Sequence, residues 1–185
     1  MFYALPIGIL AGLVARGSFA GLAHLSFRWG WVIMAGLLVQ VVLFEGPVAA
    51  AVGDVGAILY VGSTAMVLAA IVANARTPGV PLVALGAALN LLVIVANGGY
   101  MPASAEAYAA AGIVPPDGYS NTKVIAEPVL APLSDFIVLP PWLPLANVIS
   151  LGDLVIAAGT AATIALAMRS RASDDDGAMP VAAGA

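Results

Sequence analysis

VGAILYVGSTAMVLAAIVA, residues 55–73, and VPLVALGAALNLLVIVA, residues 80–96, contain no charged side chain from end to end. A helix crossing a hydrocarbon core of roughly 30 Å needs about 20 mostly apolar residues, and both stretches approach that length. Three more apolar stretches, residues 2–15, 29–44 and 148–168, bring the set to five. The first two of these are short and predict spans that rely on thin bilayer or interfacial flanks. Phe2, Tyr3, Trp29 and Trp31 supply such flanks, because aromatic rings suit the headgroup level.

The whole composition agrees. Of 185 residues, 62% are apolar and 9% are charged, with a mean hydropathy of +1.05. A soluble domain is nearer half apolar and about a quarter charged. Six basic and ten acidic side chains cannot coat a water-soluble chain of this size. That excludes an ordinary soluble enzyme, a nucleic-acid binder and a disordered chain. The expected fold is all-α, an integral membrane bundle of five transmembrane helices with a long folded outer loop, residues 97–147, between the fourth and fifth. Residues 1–171 are expected to form that single domain, followed by a disordered acidic tail over 172–185.

The few charges are sorted by side. Arg16 and Arg28 lie between the first and second spans, Arg76 between the third and fourth, and Arg169 and Arg171 after the fifth. Glu45, Asp54, Glu106, Asp117, Glu127, Asp135 and Asp153 fall on the other side with the single base Lys123. Since Lys and Arg favour the cytoplasmic face, the pattern predicts a multi-pass bacterial inner-membrane protein with its N-terminus outside and its C-terminus inside. No positive charge precedes the first apolar run, and Arg16 follows it, so that run reads as an uncleaved helix rather than a signal peptide.

The absence of Cys removes disulfides and thiolate sites, and the single His24 removes a multi-histidine metal site. No cofactor, metal or catalytic residue is expected. Within the spans, Gln40 and Asn90 are costly in lipid unless partnered, and their ordinary role is to join helices. The spacing of Gly86, Asn90 and Asn97 puts them on one helix face. Ala4, Gly8 and Gly12 form a stripe of small residues fit for close helix packing, within the chain or against a second copy. Ser63, Thr64, Thr160 and Thr163 can bond to their own preceding turns.

Residues 97–147 are rich in Gly and Pro but also in apolar side chains, including Tyr100, Tyr108, Phe136 and Trp142. Such a segment is predicted to fold back onto the helix ends, with a short helix over 104–111 capped by Ser104 and with 137–145 lying along the membrane surface. Two motifs bound it. Asn97-Gly98-Gly99-Tyr100-Met101-Pro102 reads as a helix stop and sharp turn, or as the wall of a pocket. Asn147-Val148-Ile149-Ser150-Leu151-Gly152-Asp153 opens the fifth span with a capping box in which Asp153 replaces the usual Glu or Gln. Capping explains much of Asp153; ligand or proton handling is the other reading, as for any carboxylate near the membrane. Asn97, Gly98, Gly99, Tyr100, Asp135, Asn147 and Asp153 are therefore the ligand-binding candidates, with Gln40 and Asn90 as the intramembrane polar pair. A Ca²⁺ site from Asp135, Asp153 and Asn147 is conceivable, but no ligand spacing demands it.

Taken together, the turn 97–102, the run Asn121-Thr122-Lys123 and the helix start 147–153 resemble an uncharacterised bacterial domain-of-unknown-function family of small polytopic membrane proteins. The resemblance implies architecture and bacterial origin and assigns no chemistry. The leading expectation is a non-enzymatic membrane protein that binds a partner subunit, a second copy of itself or a lipid-like ligand at its outer face. A small-solute or proton-linked transporter using Gln40, Asn90 and Asp153 is the alternative, weakened by the odd span count. Third comes a membrane enzyme acting on a lipid or isoprenoid, with Asp135 and Asp153 as acid and base. It lacks a nucleophile, a metal cluster and a basic phosphate site.

Overall fold

The computed structural model describes residues 3–114, 119–140, 142–144 and 147–170, so Phe2 and the acidic tail lie outside the described residues. The chain is mostly helical. Five apolar helices make the body: α1 (Ala4–Val14), α2 (Gly30–Leu43), α4 (Val55–Val72), α5 (Val80–Ala96) and α7 (Leu151–Arg169). Two short helices, α3 (Gly46–Val52) and α6 (Ala105–Ala111), and four short strands, β1 (Met101–Ala103), β2 (Thr122–Val124), β3 (Ile137–Val138) and β4 (Val148–Ile149), sit outside it.

By length and composition, α4 and α7 are long and apolar enough to cross a membrane. α1 and α5 are shorter apolar helices. The second expected stretch, residues 29–44, coincides with α2, and a further short helix follows it at a sharp bend. α2 ends at Phe44, Glu45 is extended, and α3 restarts with Pro47 in its first turn at an angle of 84° to α2. Proline suits a first turn because its missing N–H has no partner to lose there. The fifth stretch begins later than the hydropathy suggests. Val148 and Ile149 pair antiparallel with Val138 and Ile137, and the helix starts at Leu151. Within the stretch 137–145, Ile137–Val138 form a strand; Pro141, Leu145 and Ala146 lie outside the described residues.

The five long helices form a row, α1–α7–α5–α4–α2, in which each packs on the next. Glycine sets the spacing. A Cβ on Gly8 of α1 would lie 2.9 Å from Ala161 O of α7, and one on Gly12 would lie 2.5 Å from Met168 Sδ. The Ala4-Gly8-Gly12 stripe therefore packs within the chain, and all three residues are buried. On the other side of α7, a Cβ on Gly159 would meet Val83 N of α5 at 2.6 Å, and one on Gly86 would meet Gly152 O at 2.5 Å. α2 and α4 run antiparallel and are joined at both ends. Gln40 Nε2 donates to Thr64 Oγ1 at 3.1 Å and Ser63 Oγ at 3.4 Å. At the far end, Asn74 Nδ2 donates to Arg28 O at 2.8 Å while its Oδ1 accepts from Arg28 N at 2.7 Å.

These pairings gather Arg16, Arg28, Arg76 and Arg169 at one end of the helix axes, and the described acidic residues at the other. At the acidic end Leu43, Tyr60, Val93, Ile94, Met101 and Tyr119 form the main apolar core, with Phe44, Val52 and Tyr100 packed around it. On α1 the usual burial order is reversed: it buries Ala4, Gly8 and Gly12 and exposes Leu5, Ile7 and Leu10, the last to 63%. α4 buries Gly56, Ser63 and Ala70 together with Tyr60 and exposes Ile58 to 72%, whereas α5 buries Val80, Val93 and Ile94 beside Gly86.

Candidate functional site

The acidic end is closed by a cap built from the described residues between 97 and 149. It starts at the Asn97-Gly98-Gly99 turn, where a six-residue loop closes with Gly99 N donating to Ile94 O at 2.8 Å and Gly98 N to Val95 O at 3.3 Å. Gly98 has φ +71° and Gly99 φ +91°, both in the left-handed region that glycine tolerates. Gly99 also has no room for a side chain, since a Cβ there would sit 2.5 Å from Ala57 Cβ.

β1 then leaves the turn and pairs in parallel with β2, Met101 opposite Thr122 and Pro102 opposite Lys123. Asp135 forms a single bridge with Ala103 on the other edge of β1, with Asp135 N donating to Pro102 O at 2.8 Å and Ser104 N to Asp135 O at 3.2 Å. Ser104 accepts from Ala107 N at 2.9 Å and caps α6 as its sequence predicts. Tyr119 locks the cap onto the helices. Its ring stacks on Phe44 at 6.1 Å and tilts against Tyr100 at 5.2 Å, and its hydroxyl donates to Gly99 O at 2.9 Å.

Most of the candidate polar groups are engaged inside the chain. Asn97 makes a two-way clamp on the cap, with Nδ2 donating to Val129 O at 2.9 Å and Oδ1 accepting from Val129 N at 2.9 Å. Asn147 is exposed, and its Oδ1 accepts from Val148 N at 2.8 Å, holding the start of β4. Tyr100 presents its ring to Lys123, whose Nζ lies 5.0 Å from the centroid. Asp153 completes the capping box: Ser150 Oγ accepts from Asp153 N at 3.0 Å, and Asp153 Oδ2 accepts from Ser150 N at 3.2 Å. Asn90 reaches the same pair from α5, donating to Asp153 Oδ1 at 2.9 Å and accepting from Ser150 Oγ at 2.9 Å. Gly152 makes the approach possible, because a Cβ there would fall 1.9 Å from Asn90 Oδ1.

Asp135 stands apart. It is 7% exposed, and its Oδ1 is buried without a hydrogen-bond partner among the described residues, as is the Oγ of neighbouring Ser134. Burial pushes its carboxyl up to about 7, the charge of Asp153 adds to the rise, and the Thr122 hydroxyl works against it. Two buried, unsatisfied oxygens side by side are unusual, and such groups are costly unless something satisfies them. Among the described residues no cluster of three or more His, Cys, Asp or Glu side chains is placed to hold a metal ion.

Two functional details escape a reading of the sequence. Tyr119 lies in a Pro- and Gly-rich stretch with no periodicity to mark it as core. Asn74 follows an apolar helix beside Arg76 and looks like an ordinary solvated end, yet it is 7% exposed and spends its amide on Arg28 and Ala70.

A bundle of apolar helices, spaced by glycines and closed at its acidic end by a small hydrogen-bonded cap, is the class of protein that fold and site define. The chain belongs to DUF5317, a family of unknown function, which it matches over residues 24–165. That agrees with the resemblance to an uncharacterised family, and the matched stretch holds every candidate polar residue from Gln40 to Asp153. No curated protein and no solved structure matches the chain.

Proposed function

We propose that this chain is a five-span inner-membrane protein, N-terminus outside, that binds a partner subunit or lipid-like ligand at its capped outer face. The observation that carries the membrane reading is the reversed burial order of α1: small residues between helices, large aliphatic side chains outward. In water that arrangement would waste the apolar surface. In lipid, where helix association rests on close backbone approach, it is the favourable one. The arginines at one end and the acids at the other give the orientation its support.

Binding at the outer face is supported by the cap being a folded unit rather than a linker, and by large apolar side chains left on it. Trp142 is 79% exposed, and Phe136 and Val129 are also exposed. Purification of the full chain in mild detergent, followed by native mass spectrometry, tests the reading. A copurifying lipid or protein that is lost in the double variant Phe136→Glu and Trp142→Glu is expected. A monodisperse monomer that retains neither contradicts it.

A proton-linked carrier is the second reading, and Asp135 is the observation that favours it. A buried carboxyl that titrates near neutrality exchanges a proton under physiological conditions. Proton uptake by the reconstituted protein, measured with wild type and Asp135→Asn, decides it: equal uptake by both removes this reading.

A further inference from the structure

A second candidate site lies away from the cap, toward the arginine end. The row of helices curls so that α1 and α2 face each other across an open cleft of about 650 Å³, walled by Leu5, Ile33, Met34, Ile71, Val83 and Ile164. That volume lies in the range of roughly 300–1,000 Å³ typical of small-molecule sites. A second cavity of about 150 Å³ adjoins it, sharing Leu25 and Thr163, and this one adds the polar side chains of His24, Thr77 and Ser170. Both recesses are mostly apolar, and His24, Thr77, Thr163 and Ser170 are the polar side chains of the smaller one.

Arg28 stands next to the cleft without lining it. Asn74 lines the cleft and holds the backbone of Arg28 through two hydrogen bonds, at 2.7 and 2.8 Å. Arg28 lies between Phe27 and Gly30, both of which line the cleft, and its guanidinium sits 4.9 Å from the centroid of the Trp29 ring. Arg16, Arg76 and Arg169 stand at the same end, and no Asp or Glu among the described residues does.

We propose that this cleft holds one acyl chain of an anionic phospholipid from the arginine-side leaflet, with its phosphate at Arg28 beside the His24–Thr77–Ser170 cavity. The proposal rests on the membrane-spanning reading but not on binding at the outer cap. Alkaline carbonate extraction separates the two: release without detergent defeats the membrane reading and the site with it, whereas retention leaves the site to be judged alone.

The test is native mass spectrometry of the delipidated full chain with equimolar phosphatidylglycerol and phosphatidylcholine of identical acyl chains. Phosphatidylglycerol is expected to be favoured about fivefold, the contribution of one basic residue near a membrane surface. Arg28→Gln, which leaves the backbone bonds to Asn74 intact, is expected to bring the two lipids to parity. Ile33→Trp and Leu5→Trp, filling the cleft from opposite walls, are expected to remove both lipids, whereas Leu85→Trp on the exposed face of α5 leaves binding unchanged. Thermal melts identify any variant that fails to fold, and the other cleft variant then decides. Parity in the wild type, undiminished binding in the folded cleft variants, an equal loss in Leu85→Trp, or a lipid-free dimer would each overturn the proposal.

Discussion

Asn90 and Asp153, 63 positions apart in sequence, meet side chain to side chain at 2.9 Å where α5 passes the first turn of α7. The contact closes a ring in which Asn90 also accepts from Ser150, and Ser150 and Asp153 cap one another. An intramembrane amide and an N-terminal carboxylate that look like separate functional candidates are thus one joint. Its position directly below the cap means that the cap rests on a fixed helix end.

Removing Asn90 leaves the Ser150 hydroxyl and one carboxylate oxygen short of a partner. Asn90→Ala is expected to destabilise the folded protein in detergent by about 1–2 kcal/mol, and Asp153→Ala by a similar amount or more. The double variant should lose less than the sum of the two, since both remove the same bond. Chemical denaturation of the four proteins gives the coupling directly, and strict additivity would show that the ring carries no shared energy.

Gly152→Ala would place a methyl group 1.9 Å from Asn90 Oδ1, so α5 and α7 must separate or the ring must break. A loss of about 1–3 kcal/mol is expected. Gly62→Ala is the control. Nothing lies within 4 Å of a Cβ at Gly62, and helix propensity favours alanine there by up to about 1 kcal/mol. Thermal melts should therefore move in opposite directions for the two substitutions.

Asp135 gives the protein a pH-dependent stability. Its folded-state value near 7 lies above the ordinary 3.8, so the folded chain holds a proton that the unfolded chain has already lost. The sign follows: this stabilisation is complete below about pH 4, falls as the pH rises through 7, and is gone above that. Asp135→Asn, whose amide stays neutral, should flatten the profile and melt above wild type at pH 8. A wild-type melt that rises between pH 5 and 8 through a contribution absent from Asp135→Asn would reverse the assignment.

Tyr119 combines a ring packed between Phe44 and Tyr100 with a single hydrogen bond to Gly99 O. Tyr119→Phe should cost about 1 kcal/mol and Tyr119→Ala about 3–5 kcal/mol. Limited proteolysis within residues 97–147 should accelerate in the Ala variant and stay near wild type in the Phe variant.

The features legible in the sequence are the local ones. Ser104 and Ser150 cap their helices as the spacing of their neighbours requires, and the Asn97-Gly98-Gly99 turn stops α5 where two glycines permit left-handed backbone. The apolar runs locate the bodies of the five long helices because hydropathy is a property of the segment itself. What depends on distant partners is not legible. Val148 and Ile149 are apolar enough to extend a helix, and only Ile137 and Val138 across the chain make them a strand. The 84° break after Phe44 needs an extended Glu45 as well as Pro47, and the parallel pairing of β1 with β2 has no local signature. Asp135 is a candidate in the sequence, but its burial is not legible there, because it depends on β1 pinning its backbone.

The central claim is that five helices cross the membrane with the cap outside and the arginine end inside. The chain contains no cysteine, so single cysteines report accessibility without background. Lys123→Cys on the cap and Ala75→Cys beside Arg76 should be treated with a membrane-impermeant maleimide in intact spheroplasts and again after lysis. The account predicts that position 123 labels in intact spheroplasts and that position 75 labels only after lysis. Labelling of position 75 in intact spheroplasts, or protection of position 123 until lysis, would contradict it.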